Sequence, residues 1–515
     1  MSLQGVLFLL YQVVVIATII HVVMDNRQPA KTVAWALVIY FVPLVGIIAY
    51  IFFGINTRKE RLVSQRSIDQ LTKRSMLQFA EQQSLQLPET YKPVIELFIN
   101  EGLSLPFSGN KIDILTNGYD FFTSLLHDIA QAKSHIHIDI YIFEDDALGS
   151  LVADALIAKS RKGVEVRLVY DDVGCWQVKN SFFERLRVEG IEAEPFMPVR
   201  FPSFARRANY RNHRKLFVID GKVGYVGGMN IALRYVKGRN AGKASDRTAA
   251  GNWRDTMLRI EGKGVYSLQR AFLMDWYFVD RTLLSDRKYY PSADFLPTPP
   301  TSLSTASTSL STASTGLPTA STSLSTASTG LSTAILQTVT SGPTSPYPEI
   351  MQGYVRIIMG ARNYVYIETP YFLPTVLVLY ALKCAAQSGV DVRLLVPQKG
   401  DARFTEWASR SYLREVAEAG VQVSLYTPGF LHSKLMVCDD GVCSCGSTNI
   451  DFRSFENNFE ANVFIFDAET TRRLKATFLQ DESNSVPWSQ QSERVSPKFL
   501  PKLGESLARL FSPLL

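Results

Sequence analysis

One pattern of residues occurs twice in this chain at the same internal spacing, and it restricts the possible folds more than any other feature. The first copy runs from His213 to Asn230 and the second from His432 to Asn449. In each copy, lysine stands at the second position after the histidine, aspartate at the seventh and asparagine at the seventeenth. Because a long repeat of this kind marks a duplicated structural unit, we expect two similar halves.

Each copy follows a segment in which predicted strands and helices alternate. In the first half, β-branched and aromatic residues fill 134–143 and 163–170, and a helical stretch separates the two runs. The corresponding runs of the second half are 364–368 and 389–396. Alternation of strand, helix and strand is typical of α/β domains. The sequence therefore predicts two tandem α/β domains, which a chain of 515 residues is long enough to form.

Two long apolar stretches lie near the start of the chain. Residues 3–24 and 32–55 contain no Asp, Glu, Lys or Arg, and each can cross a hydrocarbon core of about 30 Å as a helix. They predict an N-terminal transmembrane helical hairpin, whose connector carries Arg27 and Lys31. Four basic residues follow the second stretch: Arg58, Lys59, Arg61 and Arg66. Since basic flanks favour the cytoplasmic side, we expect a multi-pass protein with cytoplasmic domains and both termini inside.

A tandem repeat of seven residues separates the two halves. Residues 301–335 contain five copies of a unit of the form Thr-Ser/Gly-Leu-Ser/Pro-Thr-Ala-Ser. Each copy offers one leucine, one alanine and no charge, so it cannot bury a core. We interpret it as a disordered linker without chemistry, whose removal should leave activity largely intact. The predicted division is 1–56 for two transmembrane helices, 57–110 for a connecting segment, 111–285 for the first domain, 286–346 for the linker and 347–515 for the second domain.

The repeated pattern predicts an anion site. In a strand, His213 and Lys215 are two residues apart and therefore share a face. An ammonium group beside an imidazole repels a metal cation, whereas together with the Asn230 amide and backbone N–H groups it can bind a phosphate. The second half offers the same set: His432, Lys434, Ser447 and Asn449. We therefore predict a phosphate pocket that needs no metal and no other cofactor.

Two such half-sites that face each other would bracket one phosphodiester. One imidazole would attack phosphorus, while the other would protonate the leaving alkoxide and then deprotonate the incoming alcohol or water. The lysines and asparagines would stabilise charge on the non-bridging oxygens. The predicted catalytic residues are His213, Lys215, Asp220, His432, Lys434 and Asp439, and the predicted substrate-binding residues are Asn230, Ser447 and Asn449. Two roles are open for Asp220 and Asp439, because aspartate can orient an imidazole of the other half or stabilise a turn.

Histidines and cysteines elsewhere in the chain do not predict a metal site. His135 and His137 share one face of a predicted strand, but no third ligand accompanies them. The five cysteines are scattered and lack the spacing of zinc ligands. We interpret the two histidines as hydrogen-bonded strand residues and the cysteines as reduced thiols of a cytosolic compartment.

At the repeated pattern the chain resembles the phospholipase D superfamily, whose signature is His-x-Lys followed by Asp and Gly-Ser. Within that superfamily it is similar to the bacterial cardiolipin synthases, which also begin with a membrane hairpin. Four further stretches carry this similarity: residues 252–255, 369–374, 458–460 and 512–515. Gly228 departs from the signature because it stands where the superfamily has serine, so the equivalence of the two half-sites is open.

The resemblance implies two phospholipase D-like α/β/α domains related by pseudo-twofold symmetry. It also implies that two molecules of phosphatidylglycerol, an anionic phospholipid, become cardiolipin and glycerol through a phosphatidyl-histidine intermediate, without a metal. His213 and His432 would then be the nucleophile and the acid–base group, and analogy within the superfamily favours His213 as the nucleophile. The implied location is the bacterial inner membrane, with the lipid bilayer as a partner.

Other functions fit the same motifs. A phospholipase D that uses water, or a phosphatidyltransferase that uses another alcohol, would need the same residues. A catalytically silent membrane scaffold would not need His and Lys in both copies. Nucleic acid is not an expected partner, because 54 Lys and Arg against 48 Asp and Glu give only a mild positive excess and the apolar hairpin favours lipid.

Overall fold

A computed structural model describes residues 3–24, 29–54, 85, 87–102, 104–199, 209–237, 253–284, 286–291 and 334–514. Within this part of the chain, the largest element is one sheet of fifteen strands to which both halves contribute. Helices pack against the sheet, so the predicted α/β class is confirmed.

The two apolar stretches at the start of the chain differ in structure. Helix α1, Leu3–Met24, is the one described helix that is long and apolar enough to cross a membrane. The second stretch is divided into α2 (Pro29–Phe41), α3 (Pro43–Ala49) and a π-helical turn (Tyr50–Gly54). The break falls at proline, which has no N–H to donate to the preceding turn. A continuous second span is therefore not observed, and the predicted hairpin is not confirmed.

The end of the predicted connecting segment belongs to the folded body. Helix α4, Lys92–Gly102, buries Val94, Ile95 and Phe98 in the core of the second half. The Phe98 ring lies 4.5 Å from the Phe464 ring, measured between centroids. The prediction that 57–110 is only a connector is therefore wrong for residues 92–102 and 104–110, while 55–84 lie outside the described residues.

The described residues of the first half form eight strands and five helices. The strands are β1 Phe107–Leu115, β2 His135–Ile140, β3 Glu165–Asp171, β4 Glu192–Phe196, β5 Lys215–Ile219, β6 Val223–Gly227, β7 Trp253–Arg254 and β8 Met257–Gly262. The helices, counted over the described residues, are α5 Gly118–Gln131, α6 Ala147–Ser160, α7 Asn180–Val188, α8 Arg234–Lys237 and α9 Val265–Asp280, followed by a 3₁₀ turn at Arg287–Tyr289.

The second half repeats this plan. Its strands are β9 Ala334–Ser341, β10 Tyr364–Glu368, β11 Phe372–Leu373, β12 Asp391–Pro397, β13 Gln422–Tyr426, β14 Phe430–Leu431, β15 Leu435–Cys438, β16 Val442–Gly446, β17 Ile450–Asp451, β18 Glu460–Phe466 and β19 Ser485–Pro487. Its helices are α10 Glu349–Gly360, α11 Val376–Gln387, α12 Arg403–Glu418, α13 Phe452–Glu456, α14 Ala468–Ser483, α15 Ser492–Val495 and α16 Phe499–Leu510, with 3₁₀ turns at Trp488–Gln490 and Ser512–Leu514.

Both halves have the same strand order, and they meet at the middle of the sheet. Counted outward from this seam, the order is β1-β8-β6-β5-β2-β3-β4 in the first half and β9-β18-β16-β15-β10-β12-β13 in the second, with β19 beyond β13. Strands β1 and β9 pair antiparallel at the seam. Because equal strand orders meet at an antiparallel pair, an approximate twofold axis relates the two halves. We call them the first and second domains.

The predicted linker is too long at both ends. Strand β9 includes Ala334 and Ile335, the last two residues of the heptapeptide repeat, and both are buried. Upstream, the hydroxyl of Tyr289 donates to Glu165 at 2.6 Å and holds the 3₁₀ turn against the first domain. Residues 286–291 and 334–341 are therefore parts of the two domains, and the second domain begins at β9. Residues 292–333 lie outside the described residues.

Apolar side chains form a core in each domain and a third core shared by both. Strand side chains alternate between the two faces of a sheet, so Phe217 of β5 faces the core of the first domain while Leu216 faces the shared core. Leu435 and Val437 of β15 belong to that same shared core. Burial of these apolar side chains holds the strands that follow the two histidines in one rigid unit.

His135 and His137 are hydrogen-bonded strand residues, as predicted. His135 Nε2 lies 3.0 Å from Gln269 Oε1, and Gln269 Nε2 lies 2.8 Å from His137 Nδ1. Both histidines are fully buried, and the His137 ring stacks on Phe272 with 4.4 Å between centroids. Over the described residues, no group of three His, Cys, Asp or Glu is arranged to hold a metal ion.

We predict that deletion of residues 301–328, the first four copies of the repeat, leaves the domains folded. The repeat has no apolar pattern that could bury a core, and loop-closure free energy changes slowly with length. Thermal unfolding should give a Tm within about 4 °C of the parent protein. A deletion extended to residue 341 is the comparison, because it removes β9 and uncovers β1 and β18. It should abolish cooperative unfolding, and equal Tm values would contradict the place of β9 in the sheet.

Candidate active site

The two histidines of the repeated pattern line one cavity between the domains. Its volume is about 440 Å³, and both His213 of the first domain and His432 of the second form part of its wall. Asn230 and Asn449, predicted to bind substrate, also line it. The structure thus brings the two predicted half-sites together.

Backbone pairing across the domain boundary brings each histidine to the cavity. The amide of His213 donates to the carbonyl of Phe459 at 2.9 Å, and the amide of His432 donates to the carbonyl of Arg254 at 2.7 Å. The second contact continues a short parallel pairing of β14 with β7. Each histidine is therefore held by a backbone segment of the opposite domain.

Two carboxylates hold the imidazole rings. They belong to Glu460, which follows Phe459, and to Asp255, which follows Arg254. His213 Nδ1 lies 3.0 and 3.1 Å from the two carboxylate oxygens of Glu460, and His432 Nδ1 lies 2.6 Å from Asp255 Oδ2. A proton on Nδ1 donates to the carboxylate, so the lone pair resides on Nε2. Each ring is oriented by the opposite domain, and its Nε2 is left for chemistry.

Sequence reasoning missed both orienting carboxylates. They lie in the stretches 252–255 and 458–460, which carried the family resemblance but received no role. Their positions are equivalent, because Gly227 pairs with Met257 in the first domain and Gly446 pairs with Asn462 in the second. Asp255 stands two residues before Met257, and Glu460 stands two residues before Asn462. A carboxylate at this position in both domains is the signal that could have found them.

Asp220 and Asp439 do not reach the histidines. The Asp220 carboxylate accepts the backbone N–H groups of Lys133, Ser134 and His135 at 2.7–3.0 Å. Asp439 accepts those of residues 362–364 at 2.7–2.8 Å. Each aspartate fixes a hairpin turn to the start of the neighbouring strand, β2 or β10. Their place among the predicted catalytic residues is corrected, and the turn role is the one observed.

Lys215 and Lys434 lie behind the histidines and are almost fully buried. Lys215 Nζ donates to the carbonyl of His213 at 2.5 Å, and Lys434 Nζ donates to the carbonyl of His432. Neither side chain forms part of the cavity wall. Burial lowers the pKa of Lys215 to about 7 and also lowers the pKa of Lys434. An anion in the cavity would stabilise both charged forms.

The two half-sites differ where the signature has serine. Ser447 donates its hydroxyl to Glu460 and accepts the N–H of Ala461 at 3.0 Å. It supports the orienting carboxylate rather than lining the cavity, which corrects its predicted substrate-binding role. In the first domain, a Cβ on Gly228 would lie only 2.2 Å from Asp255 Oδ1. Serine does not fit there because Asp255 occupies its space.

Burial and the lysines keep both imidazoles neutral at pH 7. Desolvation, aided by the charges of Lys215 and Lys434, lowers the pKa of His213 to about 4 and that of His432 to about 3. Burial opposes ionisation of Glu460 and Asp255, but the neighbouring imidazole and ammonium groups outweigh it and lower both pKa values. The site therefore combines imidazole bases with ionised carboxylates.

The cavity wall carries further charges that the sequence reasoning did not single out. They are Arg211, Arg234, Arg453, Asp401 and Asp451. Asp451 is engaged as the N-cap of α13, where it accepts the N–H of Ser454 at 2.6 Å. With three arginines in the wall and two lysines behind the histidines, the cavity suits an anionic substrate such as a phosphodiester.

Comparison with family models finds one domain type twice in the chain. Residues 125–241 and 354–482 match a model described as the phospholipase D-like domain of cardiolipin synthase. Each matched segment contains one of the two histidine motifs. Residues 13–54 match a model described as phospholipase D-nuclease N-terminal.

Curated relatives match over nearly the whole chain. A cardiolipin synthase of Geobacillus sp. (strain WCH70) is 35% identical over 509 residues, which cover 98% of this chain and 92% of that protein. The major cardiolipin synthase ClsA of Bacillus subtilis (strain 168) is 34% identical over 525 residues, which cover 100% of both. Among solved structures, the phosphatidylserine synthase of Haemophilus influenzae Rd KW20 is similar with a TM-score of 0.58 at 14% identity, covering 83% of this chain and 100% of that one. The last similarity shows a shared fold.

We predict that Glu460→Gln and Asp255→Asn each lower the turnover of a phosphodiester substrate by about 10³- to 10⁴-fold. The amide keeps the size of the side chain but no longer stabilises a positive imidazole or fixes its tautomer. Asp220→Asn is the control, because this carboxylate bonds only to backbone N–H groups away from the cavity. It should destabilise the fold by about 1–3 kcal/mol and leave turnover nearly unchanged. Turnover and Tm are measured on the same preparations, and loss of turnover in Asp220→Asn at unchanged Tm would contradict the turn role.

Proposed function

The chain belongs to the cardiolipin synthase family of phospholipase D-like proteins, and we propose that it transfers the phosphatidyl group of one phosphatidylglycerol to a second one. The products are cardiolipin and glycerol. The observation that carries this proposal is the shared cavity, in which His213 and His432 come from different domains and each has its Nδ1 engaged by a carboxylate. Two oriented imidazoles at one phosphate suit a double displacement with a covalent intermediate.

In the first step, His213 is assigned as the nucleophile by analogy with the superfamily. Its Nε2 attacks the phosphorus of phosphatidylglycerol, and the P–N bond forms as the bond from phosphorus to the glycerol headgroup oxygen breaks. His432 in its protonated form donates a proton to that oxygen, and glycerol leaves. The bound phosphodiester anion raises the pKa of the imidazoles, and the Asp255 carboxylate stabilises the imidazolium of His432.

In the second step, the headgroup of another phosphatidylglycerol supplies the acceptor. His432, now neutral, removes the proton of its hydroxyl as the oxygen attacks phosphorus. The P–N bond breaks, cardiolipin forms and His213 returns as a neutral imidazole. The proton from the acceptor hydroxyl replaces the one that His432 gave to glycerol, so the two chemical steps together consume no proton.

The amide and ammonium groups around the histidines are proposed to hold the phosphate. Asn230 and Asn449 line the cavity and are assigned to contact its non-bridging oxygens. Lys215 and Lys434 lie behind the rings and act through their positive potential. In a site with little water, such preorganised charges favour the transition state, where negative charge on the oxygens is greatest.

Two alternatives use the same residues. Attack by water on the phosphatidyl-histidine would give phosphatidic acid, and attack by another alcohol would give a different phospholipid. A non-catalytic membrane scaffold is a third possibility, but it provides no reason for a complete histidine–carboxylate pair in each domain. The acceptor therefore has to be identified from the products.

We further propose that the protein is bound to the bacterial cell membrane as a multi-pass protein with cytoplasmic domains. Helix α1 is long enough to cross, and α2 and α3 together form a second apolar segment with a kink of the kind that proline causes in spanning helices. The four basic residues after this segment, against two in the connector, support the orientation. One contact favours an alternative in which the connector lies on the same side of the membrane as the domains. Lys31 of the connector has its Nζ 5.6 Å from the centroid of the Phe452 ring, which belongs to the second domain.

We expect purified full-length protein in phosphatidylglycerol vesicles to release glycerol and form cardiolipin without added nucleotide. His213→Ala and His432→Ala should each lower this rate by at least about 10³-fold, since one removes the nucleophile and the other the acid–base group. His127→Ala, which changes an exposed histidine of α5, is the control and should keep full activity.

Mass spectrometry of products and protein separates the alternatives. Phosphatidic acid as the sole product would establish the hydrolase, and absence of any product would favour the scaffold. A phosphatidyl adduct on the peptide that contains His213 identifies the nucleophile. An adduct on the peptide that contains His432 would reverse the assignment.

Labelling of a cysteine in the connector tests the topology. In Asn26→Cys, a hairpin with an external connector predicts reaction with a membrane-impermeant thiol reagent in intact cells. Lys162→Cys, at an exposed position of the first domain, should react only after permeabilisation, and the unmodified protein gives the background of the native thiols. If Asn26→Cys also needs permeabilisation, the connector lies on the domain side and the multi-pass hairpin is excluded.

A further inference from the structure

The last long helix of the chain turns its apolar face away from the protein. Helix α16 carries Leu500, Leu503, Leu507 and Leu510, whose spacing aligns them on one side of the helix. All four are exposed, from 43% for Leu503 to 75% for Leu500. In a soluble domain such a stripe normally faces the core, so its outward direction calls for a partner.

Polar contacts on the opposite side of α16 set this direction. Glu505 is buried and accepts a hydrogen bond from Arg414 of α12 at 2.5 Å. Arg509 donates to Glu415 of α12 at 2.6 Å, and its guanidinium lies 4.0 Å from the centroid of the Tyr412 ring. Because ion pairs hold the inner side against α12, the apolar stripe is fixed on the outside.

Helix α12 extends the same surface. Phe404 and Trp407, in its first turns, are 43% and 46% exposed. The Phe404 ring lies 5.7 Å from that of Phe511, which follows α16 directly. We call the leucine stripe of α16 together with Phe404 and Trp407 the docking face.

The docking face borders the cavity of the active site. Ala402 and Thr405, which flank Phe404 in the chain, line the cavity. Directly after Phe511, the 3₁₀ turn Ser512–Leu514 packs against α13, whose Arg453 also lines the cavity. The apolar surface and the catalytic opening therefore lie side by side.

Exposed basic side chains stand next to the docking face in the sequence. Four are exposed in the segments next to it: Lys399, Arg403, Lys498 and Lys502. The acidic residues of the same segments are engaged, since Asp401 accepts the hydroxyl of Tyr371 at 2.7 Å, Glu406 pairs with Arg410 and Glu505 pairs with Arg414. An apolar stripe with free basic residues at its border fits the interface of an anionic bilayer, where leucine and aromatic side chains enter the acyl region and lysines meet the headgroups.

We propose that the docking face inserts into the surface of an anionic phospholipid bilayer and presents the cavity to the lipids of that surface. Helix α1 confines the protein to the membrane, whereas the docking face sets the orientation of the catalytic body. The choice of phospholipid as the occupant rests in part on the proposed function, because a lipid substrate has to reach the cavity from the bilayer.

Charged substitutions in the leucine stripe test this proposal on full-length protein. Leu503→Glu combined with Leu507→Glu should lower the initial rate on phosphatidylglycerol vesicles by about tenfold or more, because charge opposes insertion of the stripe. The rate on monomeric short-chain phosphatidylglycerol should stay unchanged, since this substrate reaches the cavity without a bilayer. Leu151→Glu combined with Val188→Glu is the control, because both residues are exposed apolar positions of the first domain, at 51% and 84%. It should leave both rates unchanged.

A fluorophore gives a readout that does not depend on activity. A label on Leu500→Cys in reconstituted full-length protein should be quenched by brominated anionic lipids, whereas a label on Leu151→Cys should not. The unmodified protein, which carries the five native thiols, gives the background. Tm values of all variants show whether they are folded.

The outcomes separate failure of the docking proposal from failure of the proposed function. The docking proposal is overturned if the stripe variant equals the parent on vesicles, or if the label at residue 500 is not quenched. It is also overturned if the protein self-associates as its concentration rises and this association protects the label from quenching. The docking face would then be covered by a second copy of the chain. If the parent forms no product from either substrate, the proposed function fails, while lipid quenching at residue 500 still decides the docking proposal.

Discussion

Two histidine–carboxylate contacts cross the boundary between the domains, and the active site depends on them. Glu460 of the second domain orients His213 of the first, and Asp255 of the first orients His432 of the second. A single domain would therefore contain an imidazole without its carboxylate. The backbone hydrogen bonds from the two histidines to the segments just before these carboxylates fix the same partners. This exchange explains why the chain needs two tandem copies that meet along one sheet.

A buried ion pair and a buried arginine hydrogen bond also cross the boundary at which this exchange occurs. Arg254 of the first domain pairs with Asp481 of the second at 2.7 Å, and both side chains are almost fully buried. Arg214 pairs with Asp275 of its own domain, and its Nε donates to the carbonyl of Glu460 at 3.0 Å. Removal of one partner of such a pair by mutation costs about 3–5 kcal/mol because the remaining buried charge is uncompensated. Domain separation would expose such charges together with the shared apolar core, so the two domains form one structural unit.

The sequence predicted the parts of this arrangement that repeat at a fixed spacing. The duplicated α/β fold and the meeting of His213 with His432 follow from the repeat itself. The orienting carboxylates could not be found from the repeat, because their spacing from the histidine of the same domain differs. Asp255 follows His213 by 42 residues, whereas Glu460 follows His432 by 28. Strand β9 escaped for another reason, since it continues from the heptapeptide repeat without a turn signal. The role of Asp220 could not be decided from the sequence, because only its contacts distinguish a turn from a catalytic residue.

The two orienting carboxylates differ in a way that suits two chemical roles. Glu460 is shared between His213, the hydroxyl of Ser447 and the amide of Asn458 at 3.2 Å, whereas Asp255 receives His432 and the backbone N–H of Thr256. A carboxylate with fewer other donors stabilises a neighbouring imidazolium more strongly. This difference favours protonation of His432, the residue assigned as acid, and a neutral His213.

Before substrate binds, the lysine beside His432 opposes protonation of this histidine. Lys434 Nζ lies 3.0 Å from His432 Nδ1, and burial together with this neighbouring charge lowers the pKa of His432 to about 3. A phosphodiester anion in the cavity would compensate the charge of Lys434 and remove this opposition. The stronger attraction of Asp255 for an imidazolium would then take effect, so that His432 would take up a proton from solvent as the substrate binds and become the acid that the first step requires.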